Sequence, residues 1–180
     1  TLRELAKANG GPDTGSGKTE VPRKGSSTSF DAQVAEVEVD PETGRVQLRN
    51  FVSAHDVGTI INPLGHQGQI DGEAIMAIGS SLMEELIDDQ GKITTTNLGE
   101  YKIPNIVDIP RFKTVLVKGK NGPGPYEAKG IGEHANVSPP AAIANAIQDA
   151  CGVRLFDIPA TSERVYQELK RQQAVGRRHQ

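Results

Sequence analysis

The sequence predicts an α+β fold, on three observations. Apolar and polar side chains alternate over residues 35–52, which reads as an antiparallel hairpin with one buried face. Apolar residues recur at helical spacing from residue 63 and again from residue 138. Strands and helices do not follow one another in strict βαβ alternation, which favours α+β over a doubly wound sheet. The chain of 180 residues has room for one domain, or two small ones, and for a proper core.

Residues 1–9 place Leu2, Leu5 and Ala6 on one side of a short helix that Gly10 and Gly11 end. Residues 10–28 are rich in Gly, Ser, Thr, Pro and Lys and read as a flexible linker. Helix and linker, 1–28, are thereby set apart from a domain over 29–171. In the hairpin, Ala35, Val37 and Val39 face one way and Glu36 and Glu38 the other. Asp40-Pro41-Glu42-Thr43-Gly44 is its turn, with Pro early and Gly late, and Arg45 to Val52 is the return strand.

Asn62-Pro63 is an N-cap followed by a first-turn proline, so a helix is predicted over about 63–86. Ile70, Ala74, Ala77, Ile78 and Leu82 form its buried stripe. The same helix carries Gly65, Gly68, Gly72 and Gly79. An interior glycine costs up to about 1 kcal/mol against alanine, so a close approach of something to the backbone is expected to offset it. A turn over Asp88–Gly91 and a strand from Phe112 to Val117 follow. Residues 119–133, with Gly119, Gly122, Gly124, Gly130 and Gly132, predict little regular structure. Ser138-Pro139 opens a helix with Ile143, Ile147 and Cys151 inward and Gly152 as its stop. A last helix spans about Ser162 to Arg171, and 172–180 is a polar tail.

Composition excludes several functions. With 20 basic and 23 acidic residues the net charge is −3, so there is no strong global attraction to nucleic acid or to an anionic membrane. There is no Trp, and Tyr and Phe number 3 and 4, which argues against a base-stacking binder. No apolar run approaches the roughly 20 residues of a membrane helix. The single Cys151 cannot support an intrachain disulfide framework, a thiolate metal cluster or an iron–sulfur cluster, and it points to a reducing, cytoplasmic setting.

Four features bear on chemistry. Gly17-Lys18-Thr19 fit the end of a phosphate loop, but Pro12 falls where its first glycine belongs and has no amide proton to donate. No strand precedes it and no helix follows, so the segment reads as linker. His55, His66, His134 and His179 form no HxH or HExxH pair and hence no local zinc signature. All but His134, which its neighbour Glu133 sets apart, read as surface or structural residues, with His55-Asp56 as a hydrogen-bonded turn. Glu133 follows two glycines, Gly130 and Gly132, a few residues before a helix. It is either a general base on a rigid loop, with Ile131 and the Ala-rich helix behind stripping water from it and raising its proton affinity, or a turn carboxylate in solvent. Gln67 and Gln69, flanked by Gly65, Gly68 and Gly72, either meet a cofactor with uncharged amides or form a polar helix start.

Taken in order, these segments resemble the C-terminal part of the molybdenum-binding subunit of the xanthine dehydrogenase and aldehyde oxidoreductase family. The resemblance runs from about residue 29 to 171. Ala35–Gly44, Asp56-Val57-Gly58 with Ile61-Asn62-Pro63, and Gly68-Gln69-Ile70-Asp71-Gly72 carry it first. Tyr101-Lys102-Ile103-Pro104, Ala128-Lys129-Gly130-Ile131-Gly132-Glu133 and Ala142–Ala146 complete it.

The resemblance implies a molybdenum hydroxylase acting on an electron-poor carbon of a purine, another N-heterocycle or an aldehyde. Its cofactor is molybdopterin with molybdenum, and the added oxygen comes from water. Glu133 matches the family's general base. Gln69 matches a cofactor-binding glutamine, and the backbone of Gly68, Gly130 and Gly132 is expected close to the cofactor. His134 stands where many relatives have proline, and either reaches the substrate or fills the turn. The family's molybdenum subunit is several times longer, so the rest of the site is expected on a further segment or chain. Electrons are expected to leave through iron–sulfur and FAD subunits. The alternative is a non-catalytic subunit of the same fold that stabilises a partner.

Overall fold

The computed structural model describes residues 1–11, 16, 17, 28–120 and 122–176. The Lys18-Thr19 end of the segment read as linker, most of residues 10–28, and the last four residues with His179 lie outside the described residues. The fold is α+β, as the patterning predicts: a hairpin and a further strand packed with helices.

Helix α1, Leu2–Ala8, opens with a capping box in which the Thr1 hydroxyl accepts from the Glu4 amide while the Glu4 carboxylate reaches back to the Thr1 amine. Strands β1, Asp31–Val39, and β2, Val46–Asp56, form the antiparallel hairpin, longer at its open end than the alternation predicts. A bulge at Arg49 shifts the register, so Glu36 faces Asn50 while Val37 faces Leu48. The bulge resets the phase of β2. Leu48 and Phe51 are therefore both buried although an odd number of positions separates them, and Ser53 and His55 follow Phe51 inward.

Helix α2, Pro63–Leu82, begins where Asn62-Pro63 predicts, with the Asn62 side chain accepting from the Gly65 amide at 3.0 Å. It ends four residues before the predicted 86. Met83 leaves helical geometry, and the Glu84 carboxylate swings away to accept from the Tyr101 hydroxyl at 2.9 Å. A small hairpin, β3 (Asp88–Asp89) with β4 (Lys92–Ile93), precedes β5, Arg111–Val117.

Strand β5 pairs in parallel with β2, giving a three-stranded sheet of order β1-β2-β5. The connection from β2 to β5 passes through α2, so the fold contains one β-α-β crossover that the linear pattern does not reveal. Phe51 and Phe112, opposite one another in this pairing, stack at 5.5 Å.

Helix α3, Pro139–Cys151, lays Ile143 and Ile147 into the core, with Cys151 half-buried. Helix α4, Ser162–Gly176, runs five residues past the predicted Arg171. Its first turn lies on the hairpin turn at Gly44, where φ is +71° and an added Cβ would sit 2.2 Å from the Ser162 carbonyl. Only glycine satisfies both conditions. Leu48, Phe51, Ala74, Ile78, Ile143, Ile147, Val153, Val165 and Leu169 share one continuous core. A smaller apolar cluster of Val57, Ile70 and Ala135 sits apart from it.

Candidate active site

The smaller cluster is where the predicted site residues meet. Ile70 follows Gln69 on α2, and Ala135 follows Glu133 and His134 by two positions and one. Burying Ile70 against Ala135 therefore brings the helix and the glutamate loop together. Ile131 and Leu116 pack at the edge of the same cluster.

Polar contacts fix the approach. The Gln69 side-chain amide donates to the Gly132 carbonyl at 2.8 Å and to the Glu73 Oε1 at 2.9 Å, one helical turn on. The other carboxyl oxygen of Glu73 accepts from the Ala135 amide at 2.8 Å. Glu73 is 1% exposed, so its carboxyl group is an internal brace between α2 and the loop. On the far side of α2, Asp71 accepts from the Thr114 hydroxyl and ties the helix to β5.

The N-terminal side of the loop is anchored as firmly. Lys129 is buried, its ammonium 2.6 Å from the Asp56 carboxylate at the end of β2 and 2.8 Å from the Thr28 carbonyl. Its amide donates to the Val57 carbonyl. Gly58 bridges Ala128 in antiparallel fashion, with φ at +63°. A Cβ there would stand 2.5 Å from the Glu127 carbonyl, so glycine is required both by conformation and by space. Two segments that looked like separate motifs, Asp56-Val57-Gly58 and Ala128–Glu133, are thus halves of one joint. Tyr101–Pro104 docks in the same way. Pro104 lies where a Cβ on Gly79 would be, 2.7 Å away, and the Glu84 carboxylate holds the Tyr101 phenol above its usual range.

Beneath the loop lies a set of polar groups that the linear pattern does not bring together. Gln33 on β1 donates to the Ser53 hydroxyl at 2.9 Å and to the Ala135 carbonyl at 3.0 Å. Ser53 and the His55 Nε2 are 2.5 Å apart. His55 meets the His134 ring edge to face at 4.8 Å. Burial pushes the His55 imidazole below its ordinary range, the neighbouring His134 adds to that, and Asp31 opposes it. The expected His55-Asp56 turn does not form: His55 lies in β2 facing Ser53, and Asp56 goes to Lys129. The signal for Ser53 and His55 was their even spacing from Phe51, hidden by the bulge.

Glu133 itself is exposed, and its carboxylate takes no hydrogen bond from the described residues. The covering expected from Ile131 is absent, because Ile131 turns into the small cluster instead. His134 turns toward β2, with its Nε2 sealed from solvent.

Gly68, Gly130 and Gly132 lie within two residues of the Gln69–Gly132 contact and are exposed. A Cβ on any of them would meet nothing within 4 Å, and none has positive φ. Neither packing against the described residues nor backbone geometry calls for glycine there. Among the described residues, no three His, Cys, Asp or Glu side chains gather as a metal-ligand set, and no helix is long and apolar enough to cross a membrane.

Comparison with known proteins gives one consistent answer. The profile of the molybdopterin cofactor-binding domain matches residues 3–110. The chain is 41% identical over 144 residues to a probable hypoxanthine oxidase of Escherichia coli (strain K12), covering 79% of this chain and 15% of that protein. It is 34% identical over 143 residues to the xanthine dehydrogenase molybdenum-binding subunit of Escherichia coli O157:H7, covering 78% and 19%. The aldehyde oxidoreductase of Desulfovibrio gigas superposes with a TM-score of 0.72 at 36% identity, covering 79% of this chain and 15% of that one. The chain thus spans less than a fifth of the length of these relatives.

Proposed function

Since the chain belongs to the molybdopterin cofactor-binding domain family, as the C-terminal molybdenum-binding domain of xanthine dehydrogenase and aldehyde oxidoreductase relatives, we propose that it supplies the general base of a molybdenum hydroxylase and one wall of its cofactor site. Glu133 is that base. The observation that carries the reading is the exposed, glycine-lined surface at Gly68, Gly130 and Gly132 beside Gln69 and Glu133. Glycines that nothing among the described residues requires fit a large flat body pressed against the backbone from outside, and a side chain at any of them would stand in its way.

When bound, the molybdenum cofactor would activate the water-derived oxygen for transfer and accept two electrons. The chain's own residues do the rest. The Glu133 carboxylate takes a proton at one oxygen, and a general base so placed contributes roughly a hundredfold to ten-thousandfold to the rate. The Gln69 amide meets the cofactor without a charge to desolvate, and Gly68, Gly130 and Gly132 let it lie close to the main chain. The Glu73 brace and the Lys129–Asp56 pair hold the base in place. Water exclusion around Glu133 comes from protein outside this chain.

The substrates that suit this chemistry are purines, other N-heterocycles and aldehydes, attacked at an electron-poor carbon. The remaining molybdenum-subunit segment covers this face, and iron–sulfur and FAD subunits carry the electrons away. The open position of Leu64, Ile106, Val107 and Phe156, each more than 80% exposed, supports a larger assembly, since apolar side chains of that size are normally covered.

Glu133→Gln in the assembled, cofactor-loaded enzyme tests the assignment. Turnover should fall at least about a hundredfold with molybdenum content unchanged. Turnover within a few-fold of the parent would leave a packing module that stabilises its partner and does no chemistry.

A further inference from the structure

Glu73 braces the loop, yet its geometry fixes more than the loop. We propose that Glu73 is a positioning residue for both Glu133 and Gln69: it sets the loop through the Ala135 amide and it sets which end of the Gln69 amide faces outward. The proposal rests on the assignment of Glu133 as base.

The reasoning starts from donors and acceptors. An amide side chain offers two hydrogens on nitrogen and one carbonyl oxygen, and which end is which follows from its partners. Both partners of the Gln69 terminus are acceptors: a carboxyl oxygen of Glu73 at 2.9 Å and the Gly132 carbonyl at 2.8 Å. The nitrogen must occupy that place, and both of its hydrogens are then used. The end of Gln69 left without a partner among the described residues is its Oε1, an acceptor only. The group it receives from a ligand is therefore a donor, an amino or hydroxyl group, and not a carbonyl, a thiolate or a phosphate oxygen.

Glu73 makes this orientation the stable one. It is buried, it lies one turn from Gln69 on the same face of α2, and both its oxygens accept, one from Gln69 and one from Ala135. Glutamine at 73 has nearly the same shape but turns a nitrogen on one of these two donors. Either the Ala135 amide or the Gln69 amide then loses its partner. A residue that merely fills space would tolerate that exchange. An acceptor at both ends would not.

Amide hydrogen exchange in the cofactor-free protein, followed over residues 131–136, reads the loop directly. Glu73→Gln should speed exchange within residues 131–136 by about tenfold to a hundredfold, as expected when a buried donor that fixes the loop loses its partner. In the loaded enzyme the same variant should lower kcat about tenfold or more while KM stays within about threefold, because the base is displaced and not removed. Gln69→Met, at an exposed position where folding is not at stake, should also loosen the loop in the cofactor-free protein. Unchanged exchange in both variants overturns the proposal. So does faster exchange with kcat untouched in an enzyme that Glu133→Gln inactivates. If Glu133→Gln leaves turnover intact, the base assignment fails and the positioning role toward Glu133 fails with it, whatever the exchange shows.

Discussion

The two apolar clusters of this domain differ in what encloses them. The large core is closed by the chain itself: the hairpin lies on one side, α2, α3 and α4 on the other, and Phe51, Ile78, Ile143, Ile147 and Val165 are all at most 1% exposed. The small cluster has three buried residues, Val57, Ile70 and Ala135, and above it lie the exposed Gln69, Gly132 and Glu133. Its rigidity comes from polar braces: Lys129 with Asp56, Glu73 with Ala135, and Gln33 with Ser53 and the Ala135 carbonyl. One region devotes its sequence to holding together. The other holds a loop still while leaving its outer face bare. A scaffold and a site are thus separable here, and substitutions should separate them.

The largest effect is expected in the scaffold. Phe51→Ala removes a fully buried ring stacked on Phe112 and should cost about 3–5 kcal/mol in denaturant unfolding of the chain. A loss under about 1 kcal/mol would mean that the core is not organised around that pair. Next comes the joint between the two regions. Gly58→Val meets both a positive φ and the Glu127 carbonyl, and the backbone strain alone should cost about 1–3 kcal/mol. The loss should be accompanied by faster amide exchange over residues 119–129, and a loop as well protected as the parent's would break the link drawn between Gly58 and Ala128.

A smaller effect follows from His55. Its folded-state proton affinity lies below that of a free histidine, so the unfolded chain binds more protons in the window under the ordinary value of 6.5. The contribution to stability is complete above about pH 6.5 and is lost as pH falls from there toward the depressed folded-state value. His55→Asn should flatten the fall in melting temperature measured between about pH 7 and pH 5. An unchanged slope would assign the pH response to other groups. The smallest stability change is the most informative about function. Gly68→Ala adds a methyl group to open space in a helix and should alter stability by no more than about 1 kcal/mol, in the stabilising direction. If the cofactor lies on the glycine surface as proposed, the same methyl group should lower the molybdenum-to-protein ratio of the assembled protein severalfold. A full complement of metal would show that the glycine surface is not where the cofactor lies.

Much of the scaffold was legible in the sequence because its signals are local. Asn62-Pro63 started α2 and Gly152 stopped α3, and the alternation of Ala35, Val37 and Val39 gave the inner face of β1. What was not legible depends on long-range pairing. The bulge at Arg49 hid Ser53 and His55 from a strict period of two. The end of α2 was set by Tyr101 and Pro104, which no helical pattern contains. Glu73 sat in the sequence as one more polar helix position, and only the return of residues 131–136 to α2 makes it internal. Glu133 and Gln69 stood out because glycines flank them, but their contact through Gly132 has no sequence signature.

The parallel pairing of β2 with β5 also orders events in time. A hairpin closes as soon as its turn is made, whereas parallel neighbours must wait for the crossover between them. Residues 57–58, which receive the 119–129 loop, stand directly beyond β2, and Lys129 and Ala135 come later still along the chain. Refolding should therefore protect β1 and β2 early and seat the carboxylate last, so that pulse-labelled amides of Gly119, Lys129 and Ala135 lag behind those of Val37 and Leu48.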